Sequence, residues 1–539
     1  MELTARITSH SGDTSTTKKG NTVMKFLLPI PLLMLCGLSL AQAASNETVT
    51  VAMNADMRST QPGVNRDGNT DGVMMHVVEG LVGYREDGSV GPMLAERYDI
   101  SEDGLTYTFH LREGVRFHNG ETMTAEYVVW SWDRWMDPET EWRCLADFDG
   151  TVGLEVTGVS APDEHTVTMT LAEPSALLLA TMARPDCGVV AVVHPDSVDE
   201  EGNWIEPIGT GPYKFGRWDH NRSIELNRFH DYVSRDEPMD GYVGGKQPTI
   251  ETVRILIVPD PATVVAGLQS GDIDAAMLGS ADSRSLRGVP GVELAVASNG
   301  QRNGLLIQTQ DPLLSDPRIR RAMALAIDTE QAALGSSEGL GTPSNSNVPV
   351  ASAWYGEMQA QGYEYDPEAA RALLAEAGYN GEPIEIIANR RPVVPSYNVA
   401  IIAQAMLQEV GINAQVNTME WATQLDRYSR GRYQMMSFTY SPRFDPALMF
   451  EQITGDKRQE PRKVWDNSQA IALIGELSRT EDDASRQALV DELHTMMIED
   501  TPLLFFFPGV SVAAYREHVE GFTPWFGENP RMWAVRTIL

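Results

Sequence analysis

DPEAARALLAEAGYNGEPIEIIA, residues 366–388, sets the fold class. Asp366 is suited to cap the free amides of a helix whose first position, Pro367, is already fixed near helical φ. Good helix formers then run to Gly378, a natural stop, and PIEIIA from Pro383 reads as a strand. The alternation continues downstream. Val399, Ile402, Ala403, Met406 and Val410 repeat at helical spacing up to Gly411, and strand-like runs follow in INAQVNTM from Ile412 and YQMMSFTY from Tyr433. Trp421 opens the helix before the last of these. Helix, strand, helix, strand, helix, strand predicts an α/β sheet with crossover connections. The same Asp-Pro helix start recurs at Asp260-Pro261 and Asp316-Pro317.

YSPRFDP (440–446) follows directly after the third strand. In open α/β sheets ligands settle at the carboxyl ends of strands, so this turn is a candidate for function. Two further stretches extend the pattern. Leu105 to Gly120, LTYTFHLREGVRFHNG, reads as a pair of strands before a helix capped by Thr124. Thr501 to Tyr515, TPLLFFFPGVSVAAY, reads as two buried strands with a bend at Pro508-Gly509.

At 539 residues the chain is too long for one core and should divide into two or three packed units. Its 42 basic residues against 75 acidic ones, net −33, exclude a nucleic-acid partner, which needs a positive surface. MKFLLPIPLLMLCGLSLAQAA (24–44) has the form of a secretory signal, with Lys25 ahead of an apolar run and Ala41-Gln42-Ala43 at the cleavage site. Phe26 to Leu40 falls short of the roughly 20 residues of a spanning helix. Residues 1–23 read as a non-native extension, and residues 24–43 as the signal. A lipid anchor on Cys36 is disfavoured because Leu35 is bulky where that processing prefers a small residue. Cys144 and Cys187 remain in the exported product: an oxidising compartment allows one disulfide between them, with two buried thiols as the alternative.

Motifs for catalysis and metals fail on spacing. GYVGGKQ (241–247) is one residue short of a phosphate loop and has Gln247 in place of the hydroxyl that would hold Mg²⁺. DGNTDG (67–72) starts like a calcium loop, but position twelve is Val78. Asp272 and Asp274 read as cap and turn chemistry. No HExxH pair or Cys/His cluster with metal spacing occurs, and no metal, cofactor or catalytic group is nominated.

Six segments together resemble the extracytoplasmic solute-binding proteins of ABC importers, family 5, which takes peptides, nickel complexes and opines. They are LREGVRFHNGETMTAEYVVWSWDR (111–134), APDEHTVTMTLAEP (161–174), IGTGPYKFGRW (208–218), IVPDPATVVAGLQSGDIDAA (257–276), SDPRIRRAMALAID (315–328) and YDPEAARALLAEAG (365–378). The resemblance implies a two-lobed α/β periplasmic-binding-protein fold (type II, hinge-linked) with an extra subdomain inserted in lobe one. Lobe one would comprise 44–90, 207–301 and 510–539, the insertion 91–206, and lobe two 302–509. The hinge strands would be NGLLIQT (303–309) and LLFFFPGV (503–510). It further implies a periplasmic, non-enzymatic monomer without cofactor that closes over a small solute and hands it to membrane permease subunits.

In the family's peptide binders an aspartate a few residues before the acidic-Pro step pairs with the peptide's amino terminus. Here Asp445-Pro446 is preceded by Tyr440, Ser441, Pro442, Arg443 and Phe444, with no acid. This departure predicts that Arg443 clamps an anionic group, with Tyr440, Phe444 and Asp445 around it. The competing reading has Arg443 paired with Asp445 or outside the cleft. Trp421 resembles a pocket tryptophan of the peptide binders. Arg302 and Asn303 stand at the foot of a hinge strand, and Arg66 and Asp67 in the lip of lobe one. A peptide or amino-acid conjugate is the first expectation for the solute. An opine-like, sugar-phosphate or metal-chelate solute comes second, and a receptor-coupled sensor or a periplasmic hydrolase stands behind both.

Overall fold

The three Asp-Pro steps each start a helix in the computed structural model, which describes residues 48–391 and 394–538. Asp260, Asp316 and Asp366 accept backbone N–H groups at 2.9 to 3.0 Å and open the helices Pro261–Ser270, Pro317–Ala326 and Pro367–Ala377. Gly378 ends the last with φ 73°, a left-handed position that glycine takes without a Cβ penalty. The signal at 24–43, the extension at 1–23 and Cys36 lie outside the described residues. Among the described residues no helix is long and apolar enough to cross a membrane.

Ten strands form one sheet. In chain order they are β1 (Thr48–Met53), β2 (Tyr213–Asp219), β3 (Ser223–Arg228), β4 (Thr252–Ile257), β5 (Ala275–Leu278), β6 (Val292–Ile307), β7 (Ile384–Ala388), β8 (Ala414–Thr418), β9 (Met435–Tyr440) and β10 (Leu503–Arg516). Their spatial order is β8-β7-β9-β6-β10-β5-β1-β4-β3-β2. β7 runs parallel to both β8 and β9, as the helix-strand alternation predicts, and β1 runs parallel to β4 and β5.

The long antiparallel pair β6 and β10 joins the two halves of this sheet. β10 pairs with β5 at its far end, and β6 pairs with β9 at the other. Between Ser298↔Val510 and Arg302↔Pro508 the register shifts, so Asn299, Gly300 and Gln301 face Gly509 alone. The Asn299 side chain closes this bulge, donating to Ser511 Oγ at 3.0 Å and accepting from Gln301 N at 3.0 Å. Residues 501–515 therefore hold one strand where the sequence suggests two. Pro508, which has no N–H to donate, falls at the bulge, where a strand tolerates it. Gly304 lies so near β10 that a Cβ there would stand 2.1 Å from the Leu504 carbonyl oxygen.

Hydrophobic clusters follow this division. One core combines Val49, Ile255, Ala275 and Trp533 with the residues beneath a four-stranded antiparallel sheet. A second cluster covers the other face of β5 with Val264, Leu268 and Leu286. Two more clusters, drawn from residues between Leu305 and Phe507, sandwich the β7-β8-β9 half. The four-stranded sheet consists of Ala95–Ile100, Thr106–Leu111, Thr166–Leu171 and Val156–Asp163, with helix Ala125–Met136 packed on it. Leu105 to Gly120 is thus not a strand pair. Both edges of Thr106–Leu111 are taken by other strands, and residues 115–123 fold on themselves through Phe117 N to Glu121 O and Met123 N to Val115 O. Thr124 occupies the N-cap position without a side-chain capping bond.

Candidate functional site

The two halves of the molecule meet across a cleft, held by Ala353 N to Asp87 O (2.8 Å), Ala176 N to Ser478 O (3.0 Å) and the Tyr107 hydroxyl to Glu481 (3.2 Å). Three cavities lie along it.

The first, about 310 Å³, sits against the joining strands: Gln301 and Asn303 of β6 and Phe507 and Gly509 of β10 form its floor. Gly279 to Ala281, after β5, close one side, and Arg390, Arg391 and Tyr397, after β7, close the other. Both arginines lie over aromatic faces, with Arg390 3.7 Å from the Tyr397 ring centroid and Arg391 3.7 Å from that of Trp421. Neither is in an ion pair with a described carboxylate. Arg391 Nε donates to Asn389 Oδ1 at 3.2 Å, and burial lowers its pKa. Glu338, the acid on this wall, is engaged by Arg284. Two stacked guanidiniums thus face a small cavity with their charge unanswered, a geometry suited to a carboxylate or phosphate.

The second cavity, about 300 Å³, is lined by Arg66, Arg143, Arg184 and Arg443 together with Asp71, Asp186 and Glu528. The third, about 520 Å³, opens between Tyr107 and Trp354 and carries Glu481 and Asp483. Phe444 stands between these two. Its ring packs edge-on to Tyr84 at 4.5 Å and to Phe526 at 4.8 Å, so a side chain from the β9 half is seated in the other half.

The candidate residues divide accordingly. Asn303 lines the first cavity, Arg66 and Arg443 the second, and Phe444 and Asp445 the third. Arg443 donates to its neighbour's Pro442 carbonyl at 2.7 Å and does not pair with Asp445. Asp445 is committed to the fold: it caps helix Pro446–Ile453 through Ala447 N at 2.8 Å and pairs with buried Arg486 at 2.6 Å. Asp67 is likewise a cap, accepting from Thr70 N at 2.9 Å, which also accounts for the calcium-like DGNTDG. Arg66 is paired with Asp71. Arg302 is 1 % exposed, donates to Gln452 and lies 5.8 Å from the Tyr440 ring centroid; both residues face the protein interior. Burial, reinforced by nearby Arg443, lowers the Arg302 pKa to about 9. Trp421 carries Arg391 from below.

Cys144 and Cys187 are joined in a disulfide. Cys144, Asp147 and Cys187 are the only group among the described residues with metal-ligand spacing, and the bridge takes two of the three. Lys246 of GYVGGKQ is buried and paired with Glu79 at 2.7 Å, so that segment is structural.

Sequence reasoning passes over Arg390 and Arg391, although they follow strand β7 directly and the strand-end rule that singles out YSPRFDP applies to them equally. Arg143, Arg184 and Glu528 give no local signal, because the chain brings them to the cleft from distant loops.

Residues 89–460 match the family model for bacterial extracellular solute-binding proteins, family 5 Middle. The dipeptide-binding protein of Escherichia coli (strain K12) is 28% identical over 498 residues, spanning 85% of this chain and 88% of that one. Heme-binding protein A of Haemophilus influenzae is 26% identical over 89% of this chain and 91% of its own. The solved structure of HbpA2 from Haemophilus parasuis superposes with a TM-score of 0.78 at 25% identity, covering 91% of this chain and all of that one.

Proposed function

Because this chain belongs to the bacterial extracellular solute-binding proteins of family 5, we propose that it is the extracytoplasmic solute-binding component of an ABC importer. In this reading it captures a peptide or related small solute between its lobes and delivers it to a membrane permease. The lobes are 44–90 with 207–301 and 510–539, and 302–509, with 91–206 inserted in the first. One relative binds dipeptide and another heme, so family membership leaves the solute open.

The observation that carries the solute class is the pair of stacked, unpaired arginines beside Asn303 and Gln301. They favour a solute that presents a carboxylate or comparable anion. Gly279 to Ala281 from one lobe and Arg391 from the other contact the same cavity, so a solute there stabilises the closed arrangement by touching both. Capture requires no bond to change.

Native mass spectrometry of the purified protein should detect a retained small molecule, and X-ray scattering should show contraction on adding it. Arg391→Ala should weaken its binding by roughly 10- to 100-fold, the loss of a charge-assisted hydrogen bond from a stacked arginine. Unchanged affinity in that variant would remove the assigned anchor. Turnover of the solute by the isolated chain would remove the transport reading itself.

A further inference from the structure

The second cavity has a charge arrangement that the first does not explain. Arg184 holds Asp186 through two bonds, at 2.9 and 3.0 Å, and reaches Asp147 at 3.1 Å. Arg143 shares Asp186 at 3.2 Å, and Arg66 is paired with Asp71. Arg66, Arg143 and Arg184, which line the cavity from lobe one and its insertion, therefore each have a carboxylate. Arg443, arriving from the end of β9 in the opposite lobe, has none among the described residues: its bonds go to the Pro442 carbonyl and, at 3.5 Å, to Ser441 Oγ. It is half-buried, and burial together with the facing Arg184 lowers its pKa, with Asp186 only partly offsetting them. Closing the cleft thus buries a guanidinium from one lobe beside arginines whose own carboxylates are already engaged, so its charge has no ion-pair partner among the described residues. Half-burying an unpaired guanidinium costs free energy that an anion in the cavity would offset.

We propose that the cavity framed by Arg443 on one lobe and Arg184, Arg143 and Arg66 on the other is a second oxyanion subsite, separate from the Arg390–Arg391 pocket, that latches the lobes together. The proposal rests on the solute-capture reading. Its ligand is a carboxylate or phosphate group, either the far end of the transported solute or a free oxyanion. Pro442 and Glu528 line the second cavity on the side of the first, Pro442 beside Gly300 and Glu528 beside Gln301. The cavity of about 300 Å³ has room for one such group with its immediate substituents.

Inorganic phosphate is the probe. In wild-type protein the melting temperature should rise with phosphate concentration beyond the effect of sodium chloride at equal ionic strength, which controls for screening. In an Arg390→Gln, Arg391→Gln background, which removes the first pocket's guanidiniums, Arg443→Gln should weaken this response at least tenfold in apparent affinity and Arg443→Lys should retain part of it, while the surface change Arg217→Gln should leave it unchanged. A phosphate response that persists when Arg443→Gln is added to that background, or that is absent from the background itself, overturns the subsite. Circular dichroism of each variant confirms that it folds. Native mass spectrometry sorts the two sources. A retained solute lost in Arg443→Gln identifies the subsite as holding the solute's own terminus, and a solute still retained identifies a free oxyanion. The transport reading fails separately, on the absence of any solute-driven contraction, a measurement made without phosphate.

Discussion

Lys246 and Glu79 form an ion pair in which each side chain is 1 % exposed, and Glu79 also accepts from Tyr232 at 3.0 Å and Thr210 at 3.1 Å. Lys246→Met should destabilise the protein by about 3–5 kcal/mol in urea titrations, because it strands a buried carboxylate, while the double change with Glu79→Leu should recover much of the loss. The sequence offers Lys246 only as the end of a glycine-rich turn, since its partner lies 167 residues away. Glu528 tests the cleft by pH. It holds a left-handed backbone at φ 68°, unusual for a residue with a Cβ, and burial pushes its carboxyl up from 4.5 to about 7, with neighbouring Gln301 only partly opposing it. A raised folded-state value means that its stabilisation is full below about pH 4.5 and is lost as pH rises through about 7. Between pH 5 and 8 the wild type should therefore lose on the order of 2 kcal/mol that Glu528→Gln does not. Phosphate affinity should fall over the same rise, as Glu528 acquires charge beside Arg443. Flat melting profiles for both proteins would contradict the assignment.

At the scale of elements, legibility depends on how local the controlling interaction is. The helix starts at Asp260, Asp316 and Asp366 are readable because cap and helix occupy four consecutive residues, although the equivalent start at Asp445-Pro446 reads only as a turn. The parallel pairing of β7 with β8 and β9 is readable as an α/β unit because helices separate the strands, but their spatial order, β8-β7-β9, is not. Strand partners are not readable, as Leu105 to Gly120 illustrates: its second half lacks a free edge to join, a fact set by Ala95–Ile100 and Thr166–Leu171. The continuity of β10 through Pro508 depends in the same way on a bulge in β6. The site follows this rule too. YSPRFDP and the arginines after β7 lie at strand ends, whereas the Arg143 and Arg184 wall is assembled by the bridge between their neighbours, Cys144 and Cys187. Just beyond Cys187, Gly188, Val189 and Val190 all take positive φ, a conformation that β-branched residues adopt only under constraint. Replacing both cysteines by serine should cost about 2–5 kcal/mol in reversible thermal or urea unfolding. The phosphate response should weaken as well, because two arginines lose their fixed spacing. An unaltered response would mean that packing alone positions them.

At the scale of the whole molecule, the acidic surface and the arginine-lined cleft are two parts of one electrostatic design. A chain with net charge −33 repels anions at long range, so an anionic solute is held only where guanidiniums are gathered and water is excluded. The cores have a further consequence for biogenesis. The clusters around β7, β8 and β9 draw on residues between Leu305 and Phe507, one uninterrupted stretch. The cluster that buries Val49 and Ile255 also requires Ala513, Val519, Trp525 and Trp533, near the opposite terminus. As the polypeptide emerges during synthesis and export, its middle can complete a core while its beginning still waits for its last strand. The half that is made first is the half that is finished last, and until then its apolar faces depend on whatever escorts the nascent chain.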